Sequence, residues 1–331
     1  MTPFSILDLA PITEGSSISQ ALENSKHLAI TAENCGYRRV WLAEHHGMQG
    51  VASSATAVVL AHIGAATSTI RIGSGGIMLP NHSPLIVAEQ FGTLAALFPE
   101  RVDLGLGRAP GTDMATARAL NRDLNAAVED YPAAIQQLQR YLGTRQAGQS
   151  IIAIPGIDTH IPLWLLGSSL YSAQLAAQLG LPYSFASHFA PDQLITAINL
   201  YREHFRPSEQ LQTPYVMAGV MAVVADTDEE AKFLFTSVQQ QFVNMRRGLN
   251  KPFARPVDDM SPYWSASEQA MVEHTLQYAL VGSKPTVEAK LQRFIEATQI
   301  DELIVSVPVH NMAARLNTVE QMADIGSLQS N

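Results

Sequence analysis

Short apolar runs alternate with longer amphipathic stretches along nearly the whole chain. The runs at 4–10 (FSILDLA), 38–44 (RRVWLAE), 70–80 (IRIGSGGIMLP) and 101–107 (RVDLGLG) have the length of buried strands. So do those at 163–167 (LWLLG), 182–187 (PYSFAS), 215–225 (YVMAGVMAVVA) and 302–309 (ELIVSVPV). Between them, apolar residues recur near helical spacing at 17–34, 54–67, 83–98, 114–142, 169–180, 191–205, 227–247 and 284–298, with a last helix after 312. Local signals agree with these limits. Gly36 and Gly180 close two helices, Ser83 can cap a third, and Pro84 takes the favoured first helical position.

Eight strands, each followed by a helix, predict an α/β chain folded as a (β/α)8 TIM barrel. The expected organisation is one domain over 1–331 with insertions near 143–162 and 248–268. The first insertion is long enough for a lobe or hairpin. An open doubly wound sheet is the alternative, but no glycine fingerprint follows the first strand to support its dinucleotide-binding form.

Composition narrows the function. Of 331 residues, 47% are hydrophobic and 15% charged, which suits a large buried core. A net charge of −9 argues against nucleic acid or an anionic membrane as partner. No apolar stretch approaches the roughly 18 residues of a membrane span, and no export signal is visible, so a cytoplasmic location is expected. The single cysteine, Cys35, excludes an internal disulfide and every multi-cysteine metal site.

In such barrels chemistry gathers at the C-terminal ends of the strands. Strand two ends in Glu44-His45-His46, strand three carries Gly73-Ser74-Gly75-Gly76, and strand four ends in Gly107-Arg108. Strand five runs into Ser168-Ser169, strand six into Ser187-His188-Phe189, and strand eight into His310-Asn311. A lone histidine at a strand end is more often structural than catalytic. Two beside a glutamate change the balance, because burying three polar side chains is costly unless they are paired. In extended backbone His45 and His46 point to opposite faces, so one is expected to face the mouth and no metal pair is expected. The glycines serve close packing or, equally, a flat ligand lying on bare backbone. Arg108 either pairs with Asp103 or Asp113 on the surface or clamps an anion together with the backbone N–H groups of the helix after Ser168-Ser169.

With these residues placed, the chain resembles the bacterial luciferase-like monooxygenase family. The resemblance lies in GYRRVWLAEHHG (36–47), IRIGSGGIMLPNHSPLIVAEQFGTLAALFPERVDLGLGRAPG (70–111), LLGSSLYSAQLAAQLGLPYSFASHF (165–189) and VGSKPTVEAKLQRFIEATQIDELIVSVPV (281–309). It is greatest to single-chain members of unassigned substrate. The resemblance implies FMN, reduced by a separate NAD(P)H-dependent reductase, reacting with O2 and a small, largely apolar substrate. It makes His45 the catalytic histidine, with Glu44 and His46 beside it. It lays a non-proline cis Gly75-Gly76 peptide and Gly107 against the flavin, and assigns the phosphate to Arg108, Ser168, Ser169 and Tyr171.

Two departures accompany the resemblance. Gly107 replaces a reactive cysteine of the luciferase alpha chains, and Gly167 replaces a carboxylate, so light emission itself is not implied. Relatives pair through helices near the second and third strands, and the all-round apolar stretch 54–67 fits a homodimer. Two further readings stay open: a dehydrogenase using the deazaflavin F420, and a flavin-binding protein without turnover.

Overall fold

A computed structural model describes residues 2–120 and 124–328 of the chain. Its strands are β1 Phe4–Asp8, β2 Arg39–Leu42, β3 Arg71–Met78, β4 Val102–Gly107 and β5 Leu163–Gly167, then β6 Tyr183–Phe185, β7 Val216–Ala225, β8 Leu280–Ser283 and β9 Glu302–Ser306. All pairings are parallel. Eight strands close in the order β1-β2-β3-β4-β5-β6-β7-β9, with β9 returning to β1 through Phe4↔Leu303 to Leu7↔Ser306. This is the expected (β/α)8 barrel.

One strand was not expected. β8 pairs with the outer end of β7, Ala222–Ala225, and lies outside the ring. Its four residues run directly into the following helix, Lys284–Thr298, so no turn residue separates the two periodicities.

The helices are α1 Ile18–Asn34, α2 Thr56–Ala66, α3 Pro84–Leu97, α4 Met114–Leu120, α5 Leu124–Glu129 and α6 Tyr131–Leu142, followed by α7 Leu170–Leu179, α8 Leu194–His204, α9 Asp228–Arg246, α10 Ala266–Thr275, α11 Lys284–Thr298 and α12 Met312–Leu328. The single helix expected over 114–142 is instead broken; residues 121–123 lie outside the described residues. Pro132 forces one break: it stands in the first turn of α6, where its missing N–H costs nothing, whereas inside a continuous helix it would break the ladder.

The insertion at 143–162 holds no strand and therefore no hairpin; it is tied back by Asp158 N–H to Gly143 O (3.0 Å) and His160 N–H to Leu142 O (2.8 Å). The second insertion reaches the barrel mouth. Phe253 N–H donates to Ile12 O (2.9 Å), Glu14 N–H to Phe253 O (2.9 Å), and Gln49 N–H to Asn250 Oδ1 (2.7 Å). It ends in α10, whose Ser265/Glu268 capping box was readable in the sequence but was not recognised there.

Inside the barrel, Leu7, Trp41, Trp164, Met217 and Ile304 pack together, the two indoles edge to face at 5.1 Å. Below them a buried ion cluster seals the N-terminal end. Arg39 donates to Glu302 Oε1 (2.8 Å) and Asp103 Oδ2 (2.6 Å), and its guanidinium carbon lies 4.8 Å from the Trp164 ring centroid. Pairing and hydrogen bonding make buried charges tolerable. Among the described residues no helix is long and apolar enough to cross a membrane.

Candidate active site

The apolar β2 delivers Glu44 to a buried position at the barrel lip, 1% exposed. Glu44 Oε2 accepts from Met78 N–H (2.9 Å), and Oε1 accepts from His46 Nε2 (2.8 Å), His82 Nε2 (2.8 Å) and Asn81 Nδ2 (3.2 Å). Burial raises this carboxyl's pKa, but the bonds from His82, His46 and Met78 outweigh it and hold Glu44 below the ordinary carboxylate range. His82 and Asn81 were missed in the sequence. Their only signal was an Asn-His pair in the turn that follows β3.

His45 turns the other way. Its Nδ1 lies 3.0 Å from the Gly111 carbonyl, which can only accept, so the proton sits on Nδ1 and Nε2 keeps a lone pair. Burial lowers its pKa, opposed in part by the Gly111 bond and by Glu44, so the ring is neutral at neutral pH. The loop after β4 comes close at this point. Gly111 adopts φ +65°, and a Cβ there would stand 3.0 Å from Glu44 O. Thr112 Oγ1 donates to His46 O (2.7 Å).

The atoms Glu44 Oε1, His46 Nε2 and His82 Nε2 lie within 4.8 Å of one another, a set that could hold a metal ion. Both imidazole nitrogens already sit at hydrogen-bond distance from the same oxygen, and Glu44 takes two further donors. Both Glu44 oxygens thus already accept from donors of the chain itself, while Asn81 Oδ1 stays buried without a partner among the described residues.

On β3 the Gly75-Gly76 peptide is cis. The register between β3 and β4 shifts between Ser74 and Ile77, which brings the two backbones very close. A Cβ on Gly76 would lie 2.7 Å from Gly105 O, and one on Gly105 2.2 Å from Ser74 O. Close packing thus explains these two glycines by itself. Gly107 is different, because a Cβ there would meet the flexible Met78 Sδ at 2.7 Å.

Arg108 and Ser168 leave the adjacent strands β4 and β5. The exposed Arg108 guanidinium stacks on the Tyr171 ring at 4.2 Å. Neither expected surface partner takes it. Asp103 pairs with Arg39 and Arg71, Asp113 accepts from Ala115 N–H and Thr116, and among the described residues no carboxylate forms an ion pair with Arg108. Tyr171 lies in the first turn of α7. Ser169 is that helix's N-cap, yet no side chain caps it, and Ser169 O instead accepts from Ser172 Oγ (2.8 Å). A guanidinium without a carboxylate beside uncapped helix N–H groups can receive an anion. His310, also on the rim, donates through Nε2 to Glu14 O at 3.3 Å and so holds the β1 loop.

Comparison with known proteins identifies the family. The family model for luciferase-like monooxygenases matches residues 2–302. A luciferase-like monooxygenase of Escherichia coli K12 is 49% identical over 322 residues, covering 97% of this chain and 96% of its own. The N-acetyl-S-alkylcysteine monooxygenase of Bacillus subtilis is 29% identical and covers 98% of both chains. The solved structure of apo-MsnO8 superposes with a TM-score of 0.88 at 32% identity, over 99% of each chain. The sequence matches span nearly the whole chain and the barrel superposes on a solved relative, and the chain belongs to the luciferase-like monooxygenase family.

Proposed function

We propose that the chain is an FMN-dependent monooxygenase acting with O2 on a small, largely apolar organic substrate. The observation that carries this reading is the Arg108 guanidinium, stacked on Tyr171 beside the uncapped start of α7. It is a cation on the mouth that no carboxylate among the described residues neutralises. Arg108, Ser168, Ser169 and the α7 N–H groups would hold the FMN phosphate, and the glycine-lined backbone of β3 and β4 would support the ring. Reduced FMN, when bound, supplies the electron pair with which O2 is activated. His45 contributes a neutral imidazole whose Nε2 lone pair can take a proton and return it.

The fold accommodates both cofactors under comparison. It holds FMN in the oxygenating constituent of 3,6-diketocamphane monooxygenase of Pseudomonas putida (16% identical, TM-score 0.71). It holds an F420-acetone adduct in an F420-dependent secondary alcohol dehydrogenase (15%, 0.64). Titrating the chain with FMN and with F420 separates them, FMN being expected to bind tighter. Oxygen uptake and product mass are then followed with reduced FMN, a flavin reductase and NAD(P)H over a substrate panel that includes N-acetyl-S-alkylcysteines. Tighter F420 binding, or O2 consumption that never yields an oxygenated product, overturns the proposal.

A further inference from the structure

We infer that His188 is a second ligand-contacting imidazole of this mouth, donating a hydrogen bond through Nε2–H to an uncharged oxygen of the substrate opposite His45. The inference rests on the site proposed above and adds the chemical class of its ligand: an alcohol or carbonyl compound.

Strand order places the two rings. In the eight-strand ring β2 and β6 stand four positions apart, so the residues that follow them reach the mouth from opposite sides. The ring at 188 is fixed from below. Ser187 Oγ donates to Gly219 O (2.6 Å), and Phe189 meets the His188 ring edge to face at 4.8 Å. His188 Nδ1 is buried without a hydrogen-bond partner among the described residues, and a Cβ on Gly219 would lie 2.3 Å from it. The imidazole thus fills the space that residue 219, having no side chain, leaves above β7.

That position decides the tautomer. A proton on Nδ1 would be a buried donor with nothing to meet, which costs more than an unfilled acceptor. The neutral ring therefore carries its proton on Nε2. Burial pushes the His188 pKa down to about 4, and the nearby His45 acts in the same direction, so the ring stays neutral across the physiological range. The two imidazoles are complementary, since His45 presents a lone pair at Nε2 and His188 an N–H at Nε2. A hydroxyl oxygen both accepts and donates, and a carbonyl oxygen accepts. Two neutral rings offer no charge to a carboxylate.

The test is made on the full-length chain, with and without FMN, by nitrogen-15 NMR of labelled histidines. The expected result is Nε2–H for His188 and Nδ1–H for His45, with His188 uncharged at pH 6. Cyclohexanol is the probe, and its addition should move the His188 Hε2 resonance. His188→Phe should weaken cyclohexanol by roughly three- to ten-fold, the worth of one neutral hydrogen bond. His188→Gln, which keeps a donor at that reach, should bind it within two-fold of the parent chain. Gly219→Ala should displace the ring and weaken the probe as His188→Phe does, leaving the His45 tautomer unchanged. An Nδ1–H tautomer at His188, no shift up to the solubility limit of cyclohexanol, or equal loss in the Gln and Phe variants overturns the inference. The apo measurements need no flavin, so failure of the chain to bind FMN would overturn the cofactor reading and leave this result standing.

Discussion

His46 Nε2 donates to Glu44 Oε1 across 2.8 Å, although the two residues flank a histidine that turns its Nδ1 to the Gly111 carbonyl instead. The chain beyond the end of β2 turns the neighbours apart, so His45 faces the Gly111 carbonyl and His46 joins the buried cluster. Their variants should therefore fail differently. His46→Ala deprives a buried carboxylate of one donor and should cost stability by about 1–3 kcal/mol, with FMN affinity within a few-fold. His45→Ala should leave folding and FMN affinity nearly intact, while coupled oxidation falls by ~10²–10⁴ as for loss of a general acid or base. Peroxide formation should persist in His45→Ala. Product and peroxide are measured in one reaction, alongside a thermal melt. Full coupled turnover in His45→Ala with none in His46→Ala would reverse the assignment.

The pH dependence of stability follows from three groups. His45 and His188 have lowered pKa values in the fold, His188 about 4. As pH falls through about 6.5 the unfolded chain gains protons that the folded rings resist, so stability drops from there towards the folded values. Glu44 is also lowered, and its contribution, present above the unfolded carboxyl pKa, is lost as pH falls through its folded one. Melting temperature should thus decline in two overlapping stages. His188→Phe should flatten the first and Glu44→Gln the second; a melting temperature unchanged between pH 7 and 5 contradicts the imidazole assignment.

Much of this was legible in the sequence because the signals were local. The alternation of runs identified the eight barrel strands, and strand ends placed Glu44, His45, Arg108 and Ser169 on one rim. What escaped depended on contacts between distant segments. His82 joins Glu44 across 38 positions, and nothing near Asn81-His82 announces a carboxylate partner. Gly111 and Thr112 fix His45 and His46 from a loop 66 positions away. His188 stood on the predicted rim, but its role depends on the missing side chain at Gly219, visible only once β6 and β7 are paired. β8 was lost because four residues without a following turn carry too little pattern.

For the anion site, Arg108→Ala should weaken FMN by roughly 1.5–3 kcal/mol, the range of a charge-assisted hydrogen bond, and riboflavin far less. Tyr171→Ala should show the same selectivity at smaller size, because the ring only holds the guanidinium in place. Isothermal titration with both ligands decides. Equal losses for FMN and riboflavin remove Arg108 from the phosphate.

Assembly is open to a similar test. Val58 on α2 is 70% exposed and Leu97 on α3 60%, and α2 carries no Asp, Glu, Lys or Arg. A second copy packed on these neighbouring helices would bury both. Light scattering at micromolar concentration should give a dimer mass, and Val58→Lys should shift it to the monomer without lowering FMN affinity. A monomer mass for the unmodified chain would end the expectation.

The glycines of β3 and β4 separate packing from ligand contact. At Gly105 an added Cβ would lie 2.2 Å from Ser74 O and 2.9 Å from Leu166 Cδ1. Backbone cannot yield as a side chain does, so Gly105→Ala must push the strands apart and should cost at least the ~1–3 kcal/mol of an overpacked core. At Gly107 the obstacle is Met78 Sδ, the end of an unbranched side chain that can swing away. Gly107→Ala should therefore cost under about 1 kcal/mol in urea denaturation, with an unchanged m-value. If Gly107 lies against the flavin, the same variant should weaken both FMN and riboflavin, because the added methyl would meet the ring and not the phosphate. Gly107→Ala with unaltered affinity for both ligands would assign this glycine to Met78 packing alone, and a loss of stability matching Gly105→Ala would show that Met78 is held too firmly to move.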